Sequence, residues 1–300
     1  MNLKVNLAGV ELKNPIIAAS GTFGFGKEFS KLIDINQFGA ISTKGLTLKP
    51  HKGNPSPRIA EVYGGIINSI GLENPGIEHF IENELPFLKQ HDIKIIANIN
   101  GFTKEEFYEI TKLIDDSVDL IEVNISCPNV KNGGMSFGTD PNMVYDIIKL
   151  VKKAAKVPVI AKLSPNVTSI VDIAKSAQSA GADAISLINT LRAMAIDIKT
   201  RKPHIKQIIG GLSGPCVKPI AIRMIYECFN NINIPIIGMG GIMNYKDAIE
   251  FFLAGSTCIS LGTVNFINPN AILEIKNGII KYLSDNNFTS IYELRGNIII

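Results

Sequence analysis

A single cysteine, Cys127, stands between a serine and a proline in the stretch LIEVNISCPNVKNGG, residues 120–134. A free thiol in such a loop can act as a general base, because its ordinary pKa of roughly 8.5 lies close to neutral pH. Pro128 has no N–H and restricts the residue before it to extended geometry, which helps to present the thiol. The other interpretation is a small buried hydrophobic residue, which is how we interpret Cys228 and Cys258. These residues alone leave both interpretations open.

Two lysines close apolar runs, where a charge is unexpected. Lys44 ends the run in STKG, and Lys162 ends the run in AKLS. Ending a buried strand in lysine costs desolvation free energy unless an anion or a hydrogen-bond acceptor meets the ammonium group. We therefore predict that at least one of the two contacts a ligand.

Amides, hydroxyls and glycines make up the other candidate residues at the ends of apolar runs. Asparagine offers both a donor and an acceptor, which suits a planar heterocycle such as a flavin or a pyrimidine, although each one alone could merely cap a loop. The glycines of GMGG and LGT expose backbone N–H groups, which favours a phosphorylated ligand. The alternative interpretation is that they only form tight turns. The candidates, with the lysines and the cysteine, are Ser20, Gly21, Thr22, Thr43, Lys44, Gly45, Asn98, Asn100, Asn124, Ser126, Cys127, Lys162, Ser164, Asn189, Thr190, Gly240, Gly241, Gly262 and Thr263.

These candidates can act together only if the chain brings the ends of the runs to one place. Each run is rich in Val, Ile and Ala and largely continuous in apolar character, as expected for parallel strands covered on both faces. The eight runs span residues 15–20, 39–45, 94–100, 120–126, 158–164, 184–190, 234–241 and 258–263. Helical patterns lie between them, at residues 103–116, 140–155, 168–181, 218–231, 244–255 and 268–284. Thr103 and Glu106 predict a capping box at the first helix.

This alternation predicts an α/β fold, a (β/α)8 TIM barrel that forms a single domain over residues 1–300. Two intervals exceed the usual length of a βα loop, residues 46–74 after the second run and residues 191–217 after the sixth. Both are insertions at the carboxyl end of a strand, where barrel enzymes build substrate sites and lids.

Composition narrows the function to small-molecule chemistry. Lys and Arg number 30 against 27 Asp and Glu, a net charge of +3, and no basic block suggests nucleic acid or an anionic membrane. The start MNLKVNLAGVEL lacks the apolar stretch of a signal peptide, and no run approaches the roughly 18 apolar residues of a membrane span. We expect a cytoplasmic protein.

Cysteine and histidine usage disfavours metal and triad chemistry. The cysteines form no CxxC pair, so neither a disulfide framework nor a zinc or iron–sulfur site is indicated at Cys127, Cys216, Cys228 and Cys258. The histidines fall in predicted loops or on helices, at His51, His79, His91 and His204. No metal site is predicted.

Five motifs, in order along nearly the whole chain, resemble those of the dihydroorotate dehydrogenases: NSIGLENPG (68–76), VNISCPNVKNGG (123–134), NTLRAMAIDIKTRKP (189–203), GGLSGP (210–215) and IIGMGGI (236–242). The cysteine and the continuation NVKNGGMSFG are similar to the class 1B catalytic subunit, the NAD-linked form. The membrane-associated class 2 enzymes carry serine in place of this cysteine, and an N-terminal extension. Small departures are Glu73, where glutamine is expected, and Arg192, where lysine is expected.

The resemblance implies a barrel that binds FMN and oxidises (S)-dihydroorotate to orotate for pyrimidine biosynthesis. It makes Cys127 the base that removes the C5 proton while hydride passes from C6 to the flavin, with Lys44 as the second catalytic residue. The implied substrate-binding residues are Lys44, Asn68, Ser69, Ile70, Gly71, Leu72, Asn124, Asn189 and Thr190. The implied FMN-binding residues are Ser20, Lys44, Gly45, Asn98, Asn124, Lys162, Ile188, Gly214, Gly240, Gly241, Gly262 and Thr263.

Electrons must leave the flavin, yet no GxGxxG follows a strand and no cysteine cluster could hold iron–sulfur. The resemblance implies a partner subunit that carries FAD and a 2Fe–2S cluster, assembled as a heterotetramer around a homodimer of this chain. The alternative within the family is the fumarate-linked class 1A homodimer. An alternative of another class is a sugar-phosphate lyase barrel in which Lys162 forms a Schiff base.

Overall fold

Eight short parallel strands close into a barrel in which each strand pairs with the next along the chain. The computed structural model describes residues 2–114, 116–125 and 137–299. The barrel strands are β1 (Ile16–Ala18), β2 (Ala40–Ser42), β3 (Lys94–Ile99), β4 (Leu120–Asn124), β5 (Val159–Lys162), β6 (Ala184–Leu187), β7 (Ile236–Met239) and β8 (Cys258–Leu261). Each lies within one of the predicted apolar runs, so the predicted (β/α)8 barrel is confirmed.

The strands are buried along nearly their whole length, which is why their sequences are continuously apolar. One face of each strand points into the barrel, and the other is covered by helices. Helix Pro141–Ala154 shows the covering pattern, because its buried residues follow the i, i+3, i+4, i+7 spacing at Val144, Ile147, Ile148 and Val151.

In the part of the chain that the structure describes, six long helices pack around the barrel. Their bounds agree closely with the predicted ones: Lys104–Ile114, Pro141–Ala154, Ile170–Ser179, Lys218–Phe229, Tyr245–Leu253 and Ala271–Asp285. Side-chain hydrogen bonds cap the N-termini of several of these helices. Asp140 accepts from the N–H of Asn142, and Asn244 forms a capping box with Asp247. Within the described ranges, no helix is long and apolar enough to cross a membrane.

The capping box predicted for the first of these helices is only half formed. Thr103 Oγ1 accepts from the N–H of Glu106 at 3.3 Å, as expected. The Glu106 carboxylate, however, accepts from the N–H of Phe102 at 2.6 Å, where the capping box required that of Thr103. Several N–H groups at a helix start lack partners within the helix, so a neighbouring donor can take the same acceptor.

Shorter elements flank the barrel. An antiparallel hairpin, Val5–Leu7 with Val10–Leu12, precedes the first barrel strand. A helical stretch from residue 77 to 88 consists of Ile77–His79, a π-helical turn Phe80–Glu84 and Leu85–Leu88. The remaining short helices in the described ranges are Phe29–Lys31, Ile35–Gln37, Pro215–Val217, Val264–Ile267 and Ile291–Glu293.

The two long insertions fold together into one sheet, which the sequence interpretation left as loops. This sheet, called the cap sheet here, has four antiparallel strands in the order Leu191–Ala193, Gly210–Ser213, Gly65–Asn68 and Ile59–Val62. The first insertion supplies one hairpin and the second supplies the other two strands. A further small pair, Ile196–Asp197 with Lys202–Pro203, lies in the second insertion.

Candidate active site

A cavity of about 570 Å³ opens between the carboxyl ends of the barrel strands and the cap sheet. Every barrel strand contributes a lining residue at or after its carboxyl end, in chain order Ser20, Lys44, Asn98, Asn124, Lys162, Asn189, Gly240 and Gly262. The cap sheet contributes Ile59, Ile66, Asn68, Leu212 and Ser213. Residues that lie far apart in the sequence therefore meet at one place, as parallel strands in a closed barrel require.

Nearly all of the predicted site residues that the structure describes line this cavity. They are Ser20, Lys44, Gly45, Asn68, Ile70, Gly71, Leu72, Asn98, Asn124, Lys162, Ile188, Asn189, Thr190, Gly214, Gly240, Gly241, Gly262 and Thr263. Ser69 does not line it: the residue is buried, and its Oγ has no hydrogen-bond partner in the described part of the chain. Cys127 lies outside the described residues.

Lys162 places a buried ammonium group at the cavity. Its side chain is only 6% exposed, and its Nζ donates to Ser20 Oγ at 2.8 Å. The same Nζ lies 3.9 Å from Oε2 of Glu122, a carboxylate inside the barrel. Sequence reasoning missed Glu122, although a charge within the apolar run LIEVN was a signal that could have revealed it.

Asn98 is held in one orientation by its neighbours. Its Nδ2 donates to Glu122 Oε2 at 2.6 Å, and its Oδ1 accepts from Asn100 Nδ2 at 3.2 Å. Its backbone N–H donates to Thr43 Oγ1 at 3.1 Å. The side chain is fully buried from solvent and still lines the cavity, so its carboxamide forms a fixed part of the wall.

A second pair of amides connects the ends of β4 and β6. Asn189 Nδ2 donates to Asn124 Oδ1 at 3.2 Å, and Asn189 Oδ1 accepts from the N–H of Thr190 at 2.8 Å. Behind them, Asn166 Nδ2 donates to the carbonyl oxygen of Thr190 at 3.0 Å. The amides predicted to contact a ligand are therefore positioned by one another.

Lys44 lies on the opposite side of the barrel rim, half-buried, near two charged residues that also line the cavity. Burial lowers the pKa of Lys44 below its usual value; the nearby Glu73 carboxylate opposes this decrease and the Arg58 guanidinium adds to it. Arg58 and Glu73 form an ion pair with each other. Sequence reasoning did not identify Arg58, which lies in an insertion with no recognisable strand pattern.

Glycines form the part of the wall beyond β7 and β8. Gly240 and Gly241 have φ values of +118° and +89°, a region that favours glycine. A Cβ at Gly241 would also lie 2.8 Å from Cβ of Lys218. At Gly262 the nearest atom to an added Cβ is Ala19 Cβ at 3.8 Å, so a side chain there would enter the cavity. Gly214 completes this glycine wall just before the helical turn that leads into helix Lys218–Phe229.

Histidine contributes nothing to the cavity lining. His51 Nδ1 accepts from the N–H of Gly53 at 3.2 Å, and His79 lies 3.5 Å from Glu84. Among the residues that the structure describes, no group of three or more His, Cys, Asp or Glu side chains could hold a metal ion. The described residues of the cavity therefore offer ammonium groups, amides, hydroxyls and backbone N–H groups, together with the ion pair of Arg58 and Glu73.

Comparison with known proteins agrees with this architecture. The family model for dihydroorotate dehydrogenase matches residues 2–283. A protein of Caldicellulosiruptor saccharolyticus named dihydroorotate dehydrogenase B (NAD(+)), catalytic subunit, is 69% identical over 298 residues, which cover 99% of each chain. A protein of the same name from Alkaliphilus metalliredigens is 56% identical over 299 residues, again 99% of each chain. The chain belongs to the dihydroorotate dehydrogenase family.

Proposed function

We propose that this chain is the catalytic subunit of an NAD-linked dihydroorotate dehydrogenase and oxidises (S)-dihydroorotate to orotate in pyrimidine biosynthesis. The observation that carries the proposal is the cavity, to which all eight barrel strands contribute residues at or after their carboxyl ends. Its lining includes two lysines, four asparagines and the glycine wall. The full-length relatives with this name support the same reaction.

The cavity residues fit FMN. Ser260 lines the cavity, and its buried Oγ has no hydrogen-bond partner within the described ranges, which a polar ligand would supply. The glycine wall offers backbone N–H groups and a nearby helical N-terminus to a phosphate. The residues that would hold FMN are Ser20, Lys44, Gly45, Asn98, Asn124, Lys162, Ile188, Gly214, Gly240, Gly241, Gly262 and Thr263. FMN supplies the hydride acceptor of the reaction.

With FMN bound, Lys162 would be the residue that compensates negative charge on the flavin. Its ammonium group is almost completely buried, so its field acts in a medium of low dielectric constant. Ser20 fixes the position of the charge through the 2.8 Å hydrogen bond. A preorganised charge of this kind requires no rearrangement when the electrons arrive.

The substrate is recognised on the side of Lys44 and the loop from Asn68 to Leu72. The ammonium group of Lys44 attracts the substrate carboxylate, and the amides of Asn68, Asn124 and Asn189 bind the polar edges of the ring. Asn68 is the last residue of a cap-sheet strand, and its Nδ2 donates to the carbonyl oxygen of Gly211 in the neighbouring strand at 3.2 Å, so this loop begins inside the cap sheet. Ser69 and Thr190 belong to the same proposed set; the buried Ser69 contributes through its backbone, whose N–H donates to the carbonyl oxygen of Arg58 at 2.8 Å.

Cys127 is the proposed general base that removes the C5 proton. Asn124, three residues earlier in the sequence, lines the cavity, which supports this assignment. Replacing Cys127 with serine should lower kcat by about 10²- to 10⁴-fold, the range expected for loss of a positioned base. Cofactor content should stay unchanged, because Cys127 is not among the FMN-binding residues.

We also propose that the electrons pass to NAD through a partner subunit with FAD and a 2Fe–2S cluster, in a heterotetramer built on a homodimer of this chain. The term catalytic subunit in the names of the relatives supports a partner. Exposed apolar side chains in the second insertion, at Met194, Ile196 and Ile198, are typical of an interface. The cytoplasmic location stays a prediction.

Anaerobic reduction tests the proposed function. The purified chain should be yellow, and its flavin absorbance should bleach when dihydroorotate is added without oxygen. The chain alone should not reduce NAD at the rate of bleaching, whereas rapid reoxidation by fumarate would favour the class 1A alternative. A colourless protein that borohydride traps with a sugar phosphate would indicate the Schiff-base lyase and overturn the proposal.

A further inference from the structure

Glu122 has no role in the proposed mechanism, yet it is the centre of a buried polar cluster. Its Oε2 accepts from Ser42 Oγ at 2.8 Å and from Asn98 Nδ2 at 2.6 Å. Its Oε1 accepts from Ser186 Oγ at 2.7 Å, and Lys162 Nζ lies 3.9 Å from Oε2. We call these five residues the Glu122 cluster.

The cluster spans five consecutive barrel strands, from Ser42 on β2 to Ser186 on β6. All five residues are at most 5% exposed. Asn98 and Lys162 line the cavity, whereas Glu122 and the two serines are not among its lining residues. Glu122 therefore acts on the cavity only through the asparagine and the lysine.

Burying a carboxylate costs desolvation free energy unless neighbouring donors or cations compensate its charge. An apolar side chain could fill the same space without this cost. Here three donors and one cation surround it, so the cluster is fully satisfied. Such an arrangement constrains its members: Asn98 must direct its Nδ2 to Glu122, and its Oδ1 then lies against Gly45, where an added Cβ would be 3.0 Å away.

We infer that Glu122 is a positioning residue for the cofactor site, an inference that rests on the proposed function. It fixes which edge of the Asn98 carboxamide faces the cavity. Its negative charge also partly offsets that of Lys162 and so limits how strongly the cavity stabilises negative charge on reduced FMN.

Glu122→Gln removes the negative charge but can keep the hydrogen bonds of the cluster. The glutamine oxygen can accept from Ser42 and Asn98, and its NH₂ group can donate to Ser186 Oγ, so the cluster keeps its geometry. The midpoint potential of bound FMN should become more positive, because an opposing negative charge is removed. FMN affinity should stay close to that of the unmodified protein.

Glu122→Met removes the acceptor as well as the charge. Asn98 Nδ2 then loses its partner, and among the hydrogen bonds of the carboxamide only the 3.2 Å bond from Asn100 Nδ2 to Oδ1 remains to orient it. FMN should bind about tenfold more weakly than in Glu122→Gln, the effect expected for one buried unpaired donor. The dissociation constant is measured by titrating apoprotein with FMN and following the quenching of flavin fluorescence.

Two further variants keep the test decisive. Glu84→Gln changes a largely buried carboxylate that pairs with Lys27 outside the cavity lining, and it should leave the potential unchanged. Ser42→Ala keeps the Glu122 charge but removes one donor to it, so the potential should become more negative, even if Glu122→Gln does not fold.

The inference fails if the protein binds FMN and every folded variant at positions 42 and 122 has the potential of the unmodified protein. It also fails if Glu122→Met and Glu122→Gln bind FMN equally well. An unmodified chain that binds no FMN would instead overturn the proposed function, and with it this inference.

Discussion

The three described cysteines differ in how readily their thiols can react. Burial raises the pKa of Cys228 to about 12 and raises the pKa of Cys258 further still. Cys216 is exposed at the surface. Since the thiolate is the reactive form, iodoacetamide near pH 8 should label Cys216 but neither buried cysteine.

Peptide mapping by mass spectrometry checks this expectation in the folded protein. Cys216→Ser should remove one label without changing turnover, because Cys216 does not line the cavity. If Cys127 is the base, it should also be labelled, and bound orotate should protect it. Labelling of Cys228 or Cys258 without denaturant would contradict the assignment of these two residues to the core.

Deprotonation of Lys44 should weaken orotate binding at alkaline pH. Burial lowers the pKa of its ammonium group, so the positive charge is lost at a lower pH than in an ordinary lysine. Affinity for the orotate carboxylate should therefore weaken as pH rises towards 10. In Lys44→Arg the guanidinium stays protonated, and this loss should be absent.

Orotate dissociation constants between about pH 7 and pH 10 test this dependence, with both proteins measured side by side so that titration of orotate itself cancels. Lys52→Arg is the matched control, because Lys52 is exposed in the first insertion, eight residues after Lys44, and does not line the cavity. Identical pH profiles for Lys44→Arg and the unmodified protein would exclude Lys44 as the group responsible.

Individual site residues were predictable to different degrees. Residues that end a continuous apolar strand, such as Lys162 and Asn98, could be identified because a polar group there must face the barrel mouth. Glu122 was missed because its partners, Ser42 and Ser186, come from strands that meet it only in the closed barrel. Ser69 was assigned to the site by its motif, whereas its side chain is buried away from the cavity.

The cap sheet shows why some elements escape sequence reasoning. The barrel strands are buried on both faces, and their apolar runs reveal them. Strand Ile59–Val62 instead alternates exposed and partly buried residues, so it has no continuous apolar run. Its sheet depends on pairing between insertions that are more than 100 residues apart, as in the register Asn68 with Gly211. Neither insertion can form this sheet without the other.

Contact between the cap sheet and the end of β6 depends on Gly211. An added Cβ would lie 2.0 Å from Thr190 Oγ1, so Gly211→Ala must displace the sheet or Thr190. Overpacking of this kind costs roughly 1–3 kcal/mol of unfolding free energy. Because Thr190 also lines the cavity, orotate affinity should fall by roughly ten- to hundredfold.

Gly278→Ala is the control for this prediction. A Cβ there would lie 2.3 Å from Tyr245 Cγ, a comparable overlap between two helices away from the cavity. It should reduce stability in urea unfolding without changing orotate affinity. Equal effects of the two variants on affinity would show that the cap sheet does not position the substrate site.

The whole barrel converges on one cavity, and this should couple cofactor binding to global stability. Residues at or after the carboxyl ends of all eight strands line the cavity, so a molecule bound there contacts most of the barrel at once. A ligand that binds only the folded state stabilises it by about 4 kcal/mol at a thousandfold excess over its dissociation constant. Apoprotein should therefore unfold at a clearly lower temperature than the FMN-bound protein.

Riboflavin separates the contribution of the glycine wall from that of the rest of the cavity. It carries the same ring system as FMN but no phosphate, so it cannot use the backbone N–H groups at Gly240, Gly241 and Gly262. In a thermal unfolding series at equal concentrations, FMN should raise the Tm of apoprotein well above the value with riboflavin.

Gly262→Ala, whose Cβ would enter the cavity, should reduce the stabilisation by FMN. If riboflavin stabilised the protein as much as FMN does, the glycine wall would not be a phosphate site, and the assignment of residues 240, 241 and 262 to the cofactor would have to be abandoned.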